Sequence, residues 1–149
     1  MAISALTDHT GFWLRMVSNA VSHEFAGKVS AEGVTVAEWS FMRVLSEAEA
    51  TAPTVLAEKM GMTKGAISKL AERLLAKELI QKSKNLEDAR AHSLSLTAIG
   101  RAKLPVLAAL ADQNDVAFFG VLTQEEHETL RLILKRLAER RGLKTIPVD

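Results

Sequence analysis

Apolar residues recur at intervals of three and four along most of the chain, and this periodicity predicts a mainly α-helical protein. The first predicted helix runs from Thr10 to about Lys28. Its apolar positions are Trp13, Val17, Ala20, Val21 and Phe25. Gly33 interrupts the pattern, so we expect a turn between this helix and the next.

Two shorter helices are predicted to follow. Thr35 suits the N-cap of the second helix, with Glu38 as its capping-box partner, and the apolar pattern of that helix ends near Glu49. Pro53 suits the first position of a third helix that reaches Met60, because proline lacks the N–H that would be unpaired there.

The turn after the third helix has the residue spacing of a helix-turn-helix. Counted from Pro53, the fifth residue is Ala57, the ninth is Gly61, and the fifteenth and eighteenth are Ile67 and Leu70. A small fifth residue lets two helices approach closely, and glycine adopts the left-handed turn conformation. The two branched apolar residues pack the second helix onto the first, so the pattern predicts a DNA-binding motif.

The fourth helix, capped by Thr63 and reaching about Lys77, is predicted to have two different faces. Its core stripe consists of Ile67, Leu70, Ala71 and Leu74, and its far side carries Lys64, Gly65, Ser68, Lys69, Glu72 and Arg73. The first half of such a helix enters the major groove, where small residues allow close approach and lysines reach guanines or phosphates. The first-turn amides can bind a phosphate. The alternative is an ordinary solvated face.

Two short segments with strand-like alternation, "LIQKS" and "HSLSLT", flank the charged stretch "KNLEDARA" and predict a β-hairpin. Arg90 near its tip is expected to enter the adjacent minor groove, with Lys82 and Lys84 at phosphates. Asp88 is expected to order the tip or to hold the arginine. The alternative is an exposed loop. The predicted DNA-contacting residues are Thr63, Lys64, Gly65, Ser68, Lys69, Arg73, Lys82, Lys84 and Arg90.

Two more helices are predicted at the end of the chain. Thr97 suits the N-cap of a fifth helix that reaches about Phe119, and Pro105 is expected to kink it or to end it locally. Gly120 breaks the pattern, and "TQEE" at 123–126 predicts a capping box for the last helix. The apolar positions of the last helix are Leu130, Ile133, Leu134 and Leu137, and its end is marked by Arg140, Arg141 and Gly142.

Charge is concentrated in one part of a nearly neutral chain. Residues 63–103 hold nine Lys or Arg and four Asp or Glu, whereas the remainder holds ten basic and fourteen acidic residues. This distribution favours a single anionic contact surface, although chance clustering is the alternative. The scarcity of aromatic residues, with no tyrosine, disfavours a stacking platform for single-stranded nucleic acid.

Composition excludes several other classes of protein. The chain of 149 residues contains no cysteine, which rules out disulfides and cysteine-ligated zinc. No segment resembles a signal peptide or a membrane span, so we expect a cytoplasmic protein without membrane contact. The four histidines are scattered, and neither a nucleophile–base arrangement nor a phosphate-binding glycine loop is present. We therefore expect no metal, no cofactor and no catalysis.

At these motifs the chain resembles the MarR-type winged helix-turn-helix transcriptional regulators, over nearly its whole length. "LAEKMGMTKGAISKLAERLLAKELI" is similar to the two-helix reader of that family. "NLEDARAHSLSLTAIG" is similar to its wing signature, an acidic-x-Arg tip followed by Leu-x-Leu-Thr and a glycine. Two departures are Asn85, where an aspartate is common, and Glu78, which replaces a usual glycine after the recognition helix.

The resemblance implies a mainly α-helical fold with a small two-stranded hairpin. It implies a winged helix-turn-helix domain at 35–97 and dimerisation helices at 1–34 and 98–149, which form a triangular homodimer on a pseudo-palindromic operator in double-stranded DNA. The terminal helices carry more apolar residues than one face needs, including Phe12, Phe118, Phe119, Val121 and Leu122. Packing within one chain is the alternative reading of these residues.

The resemblance also implies a small effector, commonly aromatic or anionic, that binds beside the dimerisation helices and releases DNA from a repressor. The candidate effector residues are Trp13, Met16, Val17, Ala20, His23 and Trp39. Core packing is the competing explanation for the apolar ones, since tryptophan and methionine at helical spacing are typical of cores. Two rival functions are a DNA-binding module without an effector, either architectural or controlled by a protein partner, and a helical interaction protein that never binds DNA.

Overall fold

The computed structural model describes residues 1–84 and 92–148, without the side chain of Lys84. A short 3-10 helix, Leu6–Asp8, precedes six α-helices and two strands. In chain order these are α1 (Thr10–Ser30), α2 (Val36–Leu45), α3 (Pro53–Met60), α4 (Lys64–Ala76), β1 (Ile80–Lys84), β2 (His92–Leu96), α5 (Ala98–Phe119) and α6 (Gln124–Arg140). The predicted order of elements and the mainly α-helical fold class are confirmed.

Side-chain caps begin most of the helices where the sequence predicts them. Thr35 and Glu38 form the predicted capping box of α2, in which Thr35 Oγ1 accepts from the Glu38 N–H at 3.1 Å and Glu38 Oε1 accepts from the Thr35 N–H at 2.9 Å. Thr123 and Glu126 form the same reciprocal box at α6. Each box pairs two backbone N–H groups that the helix itself leaves free.

One predicted helix end differs from the structure, and one of the two outcomes predicted for Pro105 is absent. The α2 helix ends at Leu45, not near Glu49, and at its end the Ser46 hydroxyl donates to the Arg43 carbonyl oxygen at 2.6 Å. Such a local bond offers the backbone an alternative to another helical turn. Pro105 does not end α5, which continues from Ala98 to Phe119. Proline removes one N–H from the ladder, so the carbonyl of Arg101, an exposed residue, lacks its usual donor.

The strands form the predicted hairpin. They pair antiparallel in the register Ile80↔Leu96, Lys82↔Leu94 and Lys84↔His92. Leu94 also exchanges backbone hydrogen bonds with Thr51, at 2.9 and 2.8 Å, so the chain between α2 and α3 borders the hairpin. This bridge attaches the hairpin to the helix-turn-helix.

The hydrophobic core lies mainly within the segment from α2 to β2. Its fully buried large side chains are Phe41, Met42, Leu45, Leu56, Met60, Ile67, Leu74 and Leu94, with Val29 from α1 and Leu107 from α5. The α6 helix contributes no buried residue to this core. Within the described residues, no single helix is long and apolar enough to cross a membrane. The α5 and α6 helices meet that standard only when taken together, and they are bent by 110°.

Candidate nucleic-acid interface

The turn and the cap before α4 aim its first residues outward. Gly61 has a φ of 63°, in the left-handed region that glycine enters without strain, and ends α3. The Thr63 hydroxyl then accepts a hydrogen bond from the Ala66 N–H at 3.1 Å and begins α4. The buried stripe of α4 is Ile67, Leu70, Ala71 and Leu74, as predicted.

The first two turns of α4 leave a small, basic surface in solvent. Lys64, Gly65, Ser68 and Lys69 are all exposed. A Cβ added at Gly65 would meet only the Thr63 hydroxyl, at 4.0 Å, so packing within the chain does not require glycine here. What the glycine does provide is room for another molecule to approach the helix backbone.

Arg73, on the same helix, is bonded within the protein. Its Nη2 donates to the Thr35 hydroxyl and to Glu38 Oε1, each at 3.2 Å. Lys77 Nζ lies 2.8 Å from Glu38 Oε2. Burial raises the pKa of the Glu38 carboxyl, but hydrogen bonds from Lys77 and Thr35 and the charge of Lys77 lower the pKa, which ends below its ordinary value of 4.5. Of the nine predicted DNA-contacting residues, Arg73 therefore has a competing role inside the fold.

The predicted wing residues fall in three categories. Lys82 is exposed on β1, whereas only the backbone of Lys84 is described and Arg90 lies outside the described residues. Ser68 of α4 and Lys82 of β1 line one groove of about 390 Å³, whose wall also includes Pro53 at the start of α3. The groove brings the recognition helix and the first strand of the wing side by side.

The connection between α4 and β1 explains two residues of the wing pattern. Glu78 has a φ of 61°, and it is the sole residue other than glycine with a positive φ in the described chain. This conformation favours glycine, so the glutamate at position 78 departs from the residue that suits the backbone best. Gly100 packs against the same connection, since a Cβ there would collide with the Leu79 carbonyl oxygen.

The six predicted effector residues lie in different environments. Trp13, Met16 and Val17 are exposed on α1, as is Ala20. His23 borders a cavity of about 470 Å³ together with Thr35 and Val148. Trp39 alone of the six lines the cleft between α1, α2 and α5.

That cleft, of about 230 Å³, contains residues that sequence reasoning did not select: Val21, Ser22, Phe25, Ala111, Asn114 and Asp115. The rings of Phe25 and Trp39 meet edge to face, with centroids 6.4 Å apart. The buried Asn114 accepts from Lys28 Nζ at 2.8 Å and donates to the Val21 carbonyl at 3.2 Å. An asparagine within the apolar stretch of α5 was the available signal. No group of three or more His, Asp or Glu in the described chain could hold a metal ion.

Comparison with known proteins identifies the group to which this architecture belongs. The model of the MarR family matches residues 34–92, which span the helix-turn-helix and reach the second strand of the hairpin. A probable transcriptional regulator from Pseudomonas aeruginosa is 32% identical in sequence and has a TM-score of 0.79. The alignment covers 89% of this chain and 99% of that one.

Two other relatives differ in how much they share. The HTH-type transcriptional repressor MdtR of Bacillus subtilis is 27% identical over 126 residues, which are 85% of this chain and 81% of MdtR. The PcaV transcriptional regulator of Streptomyces coelicolor, solved in complex with its natural ligand, is 22% identical with a TM-score of 0.78. The alignment covers 93% of this chain and 98% of PcaV, which has the same fold.

Proposed function

Because the chain belongs to the MarR family of transcriptional regulators, we propose that it is a homodimeric repressor that binds a pseudo-palindromic operator in double-stranded DNA and is released by a small molecule. The observation that carries the proposal is the exposed, small and basic surface at the start of α4, directly beside the hairpin. A repressor among the relatives, MdtR, supports the same direction of regulation.

In this proposal the first two turns of α4 enter the major groove. Lys64 and Lys69 reach base edges or phosphates, while Gly65 and Ser68 leave space for the groove wall. The N–H groups of the first turn, behind the Thr63 cap, bind a phosphate. Lys82, Lys84 and Arg90 of the wing contact the neighbouring backbone and minor groove.

The homodimer is proposed from apolar surface that one chain leaves exposed. The α6 helix has no buried residue, although Leu132, Ile133, Leu134 and Leu137 are each between 40% and 57% exposed. Trp13, Leu14, Met16 and Val17 on α1 and Val116 on α5 are exposed as well. A second copy that covers these faces would bury a stripe that an isolated helix cannot stabilise in water. We therefore assign 1–34 and 98–149 to dimerisation and 35–97 to DNA binding.

The effector site is proposed at the cleft that Phe25 and Trp39 border. Its aromatic edges suit a small aromatic molecule, and the Ser22 hydroxyl offers a polar contact. Asp115 makes the cleft less suitable for an anion, so between the two effector classes predicted from the sequence an aromatic hydrogen-bond donor fits better. PcaV, which has the same fold, was solved with its natural ligand.

The test is selection of bound duplexes from a random DNA pool, followed by competition of the enriched duplex with a panel of small aromatic compounds. We expect a palindromic sequence, one homodimer per duplex, and release by a compound that also protects Trp39 fluorescence from quenching. Enrichment without release by any compound would favour the alternative, a DNA-binding module that is architectural or controlled by a protein partner. No enrichment at low salt would reject DNA recognition itself.

A further inference from the structure

Glu38 is the only charged side chain that is buried in residues 1–84 and 92–148. A carboxylate taken out of water is costly unless hydrogen bonds and opposite charges surround it. Glu38 Oε1 accepts from the Thr35 N–H at 2.9 Å, from Arg73 Nη2 at 3.2 Å and from Lys77 Nζ at 2.9 Å. The capping box uses the carboxylate only for the Thr35 bond, so the bonds from Arg73 and Lys77 are additional to the box.

The two additional partners both come from the recognition helix. Arg73 lies in α4, and Lys77, four residues later on the same side, is the C-cap residue of that helix. Their side chains are 48% and 39% exposed. Lys77 also donates to the Gly33 carbonyl oxygen at 2.9 Å, in the connection between α1 and α2. Glu38 therefore links the second half of α4 to the start of α2, and Lys77 itself links the end of α4 to the connection between α1 and α2.

This link constrains the residues that the proposed function assigns to the major groove. A helix rises about 1.5 Å per residue, so Arg73 is only about 7 Å along the axis from Ser68 on one rigid rod. Rotation of α4 about its axis would break the contacts of Arg73 and Lys77 with a carboxylate that cannot follow, because Glu38 is enclosed by the core. Base readout tolerates displacements of well under about 1 Å, so this restraint bears on sequence discrimination.

The link also affects the charge that α4 offers to DNA. The single negative charge of Glu38 offsets part of the positive charge of Arg73 and Lys77, with N–O distances of 3.2 and 2.8 Å. Cations that are already paired release fewer counterions from DNA, and so contribute less to binding that ignores sequence. Glu38 thereby limits non-specific attraction of DNA to the second half of α4, which lies furthest from the proposed position of the major groove.

We propose that Glu38 is a positioning residue for operator recognition: it orients the recognition helix through Arg73 and Lys77 and withholds both cations from the phosphates. The proposal rests on the DNA recognition proposed above. It also revises the expectation for Arg73, which becomes an internal brace and not a phosphate contact.

The experiment compares Glu38→Gln with the wild type on the selected duplex and on a scrambled duplex of equal length, at several salt concentrations. Glutamine has the same shape and keeps the Thr35 bond, but it carries no negative charge to offset Arg73 and Lys77. We compare the preference ratio, which is the dissociation constant on the scrambled duplex divided by that on the selected duplex. We expect this ratio to fall by about tenfold, equivalent to about one lost base contact. We also expect the salt dependence on scrambled DNA to steepen by about one or two phosphate contacts.

A matched control separates this effect from loss of any ion pair. Glu47→Gln removes an exposed pair, Glu47–Lys59 at 3.7 Å, within the same domain. It should leave the ratio and the salt dependence unchanged. Thermal unfolding is recorded for each variant, and binding is compared at a temperature where all are folded. A Glu38→Gln protein with a lower Tm but an unchanged ratio and an unchanged salt dependence would show a purely structural role and overturn the proposal.

Arg73→Gln provides a second test that does not depend on burying a new side chain. For Arg73→Gln the proposal predicts a lower preference for the selected duplex with an unchanged salt dependence. The triple variant Arg73→Gln, Lys77→Gln and Glu38→Gln frees no cation, so its salt dependence should equal that of the wild type. A salt dependence for Arg73→Gln that is shallower by about one contact would identify Arg73 as a phosphate ligand and contradict the proposal. If the wild type itself fails to prefer the selected duplex, the proposed function fails, and that outcome is distinct from any result on Glu38.

Discussion

At the scale of single residues, Glu78 has the least favourable backbone conformation in the described chain. Its φ of 61° follows directly from its place between the last turn of α4 and β1. The Glu78 N–H donates to the Leu75 carbonyl and the Leu79 N–H to the Leu74 carbonyl, both at 3.0 Å, which closes the helix end. The left-handed conformation is required by this closure, whatever side chain is present.

We expect Glu78→Gly to stabilise the protein by about 1 kcal/mol, because glycine relieves the left-handed strain while losing some chain entropy. Chemical denaturation measures the change. Glu72→Gly, an exposed position in the middle of α4, is the control and should destabilise by about 1 kcal/mol. Equal effects of the two glycines would contradict this reading of the connection.

Glu38 also makes a prediction about acid stability. Its pKa is lowered in the folded state from 4.5, so its charged form stabilises the fold above that pH and the contribution disappears as the pH falls through the lowered value. At neutral pH we expect Glu38→Gln to be less stable than the wild type by about 1 to 3 kcal/mol. Denaturation at a series of pH values should show this gap closing below about pH 4.5. A gap of constant size would mean that the carboxylate charge is irrelevant.

At the scale of elements, α4 divides its work between its two halves. The outward side chains of its first half are exposed and form no ion pair within residues 1–84 and 92–148, whereas Arg73 and Lys77 at its second half bind Glu38. The wing adjoins the first half through the groove that Ser68 and Lys82 share. Base readout is therefore expected from the first half of α4, and the wing is expected to add contacts with the neighbouring backbone and minor groove.

For α4, we expect Lys69→Ala to change which sequences a random pool yields, and to weaken binding to the original operator by about tenfold, since a lysine at a guanine supplies discrimination. Ser68→Ala should shift the preference in the same way if Ser68 touches a base. Lys103→Ala removes an equal charge from α5, where Lys103 pairs with Glu32 of the connection between α1 and α2, and serves as the control. An unchanged consensus for Lys69→Ala would show that Lys69 meets phosphates only.

For the wing, we expect Arg90→Ala to weaken binding to most sequences alike, with a salt dependence shallower by about one contact. The reason is that an arginine in the minor groove reads charge and width more than base identity. A gel-shift titration across salt concentrations gives both quantities, and thermal unfolding checks that the variant is folded. Wild-type affinity would remove the wing from the interface.

At the scale of the whole molecule, the segment from α2 to β2, called the head below, and the helices around it differ in how they are stabilised. The head has a closed core, whereas α6 has none of its residues buried in one chain. The segment after α6 returns to the head, where the Ile146 N–H donates to the Met60 carbonyl oxygen at 3.1 Å and Thr145 Oγ1 donates to that of Gly61 at 3.4 Å. The segment that follows α6 is thus hydrogen-bonded to the turn between α3 and α4.

We expect Leu137→Glu to convert the proposed dimer into a monomer. Operator binding should weaken by at least about a hundredfold, because each monomer then binds its half-site independently. Leu137 is 54% exposed in one chain and belongs to the apolar stripe of α6. Sedimentation at several protein concentrations measures the assembly. Lys135→Glu, on the opposite side of α6, should remain dimeric. A dimeric Leu137→Glu protein would place the interface elsewhere.

The sequence alone determined the elements and the motif. Helix starts depend on residues that act within three positions of themselves, so they can be read directly from the chain. These are the caps Thr35, Thr63 and Thr123 and the first helical residue Pro53. The apolar stripe of α4 likewise depends on spacing, and burial in the fold matches it. In β2 the alternation places Leu94 and Leu96 in the core, but Ser95 between them is buried as well. Spacing also identified the outward face of α4, since whatever is not in the stripe must face away from the core.

Tertiary structure decided the pairings between distant positions. The bond from Arg73 to Glu38 spans 35 residues of sequence, and that from Asn114 to Val21 spans 93. A side chain's periodicity gives its direction from the helix axis but not its partner, which depends on how the helices pack. For this reason the sequence assigned Arg73 to DNA with the other exposed cations, and only the folded chain revealed the buried carboxylate beside it.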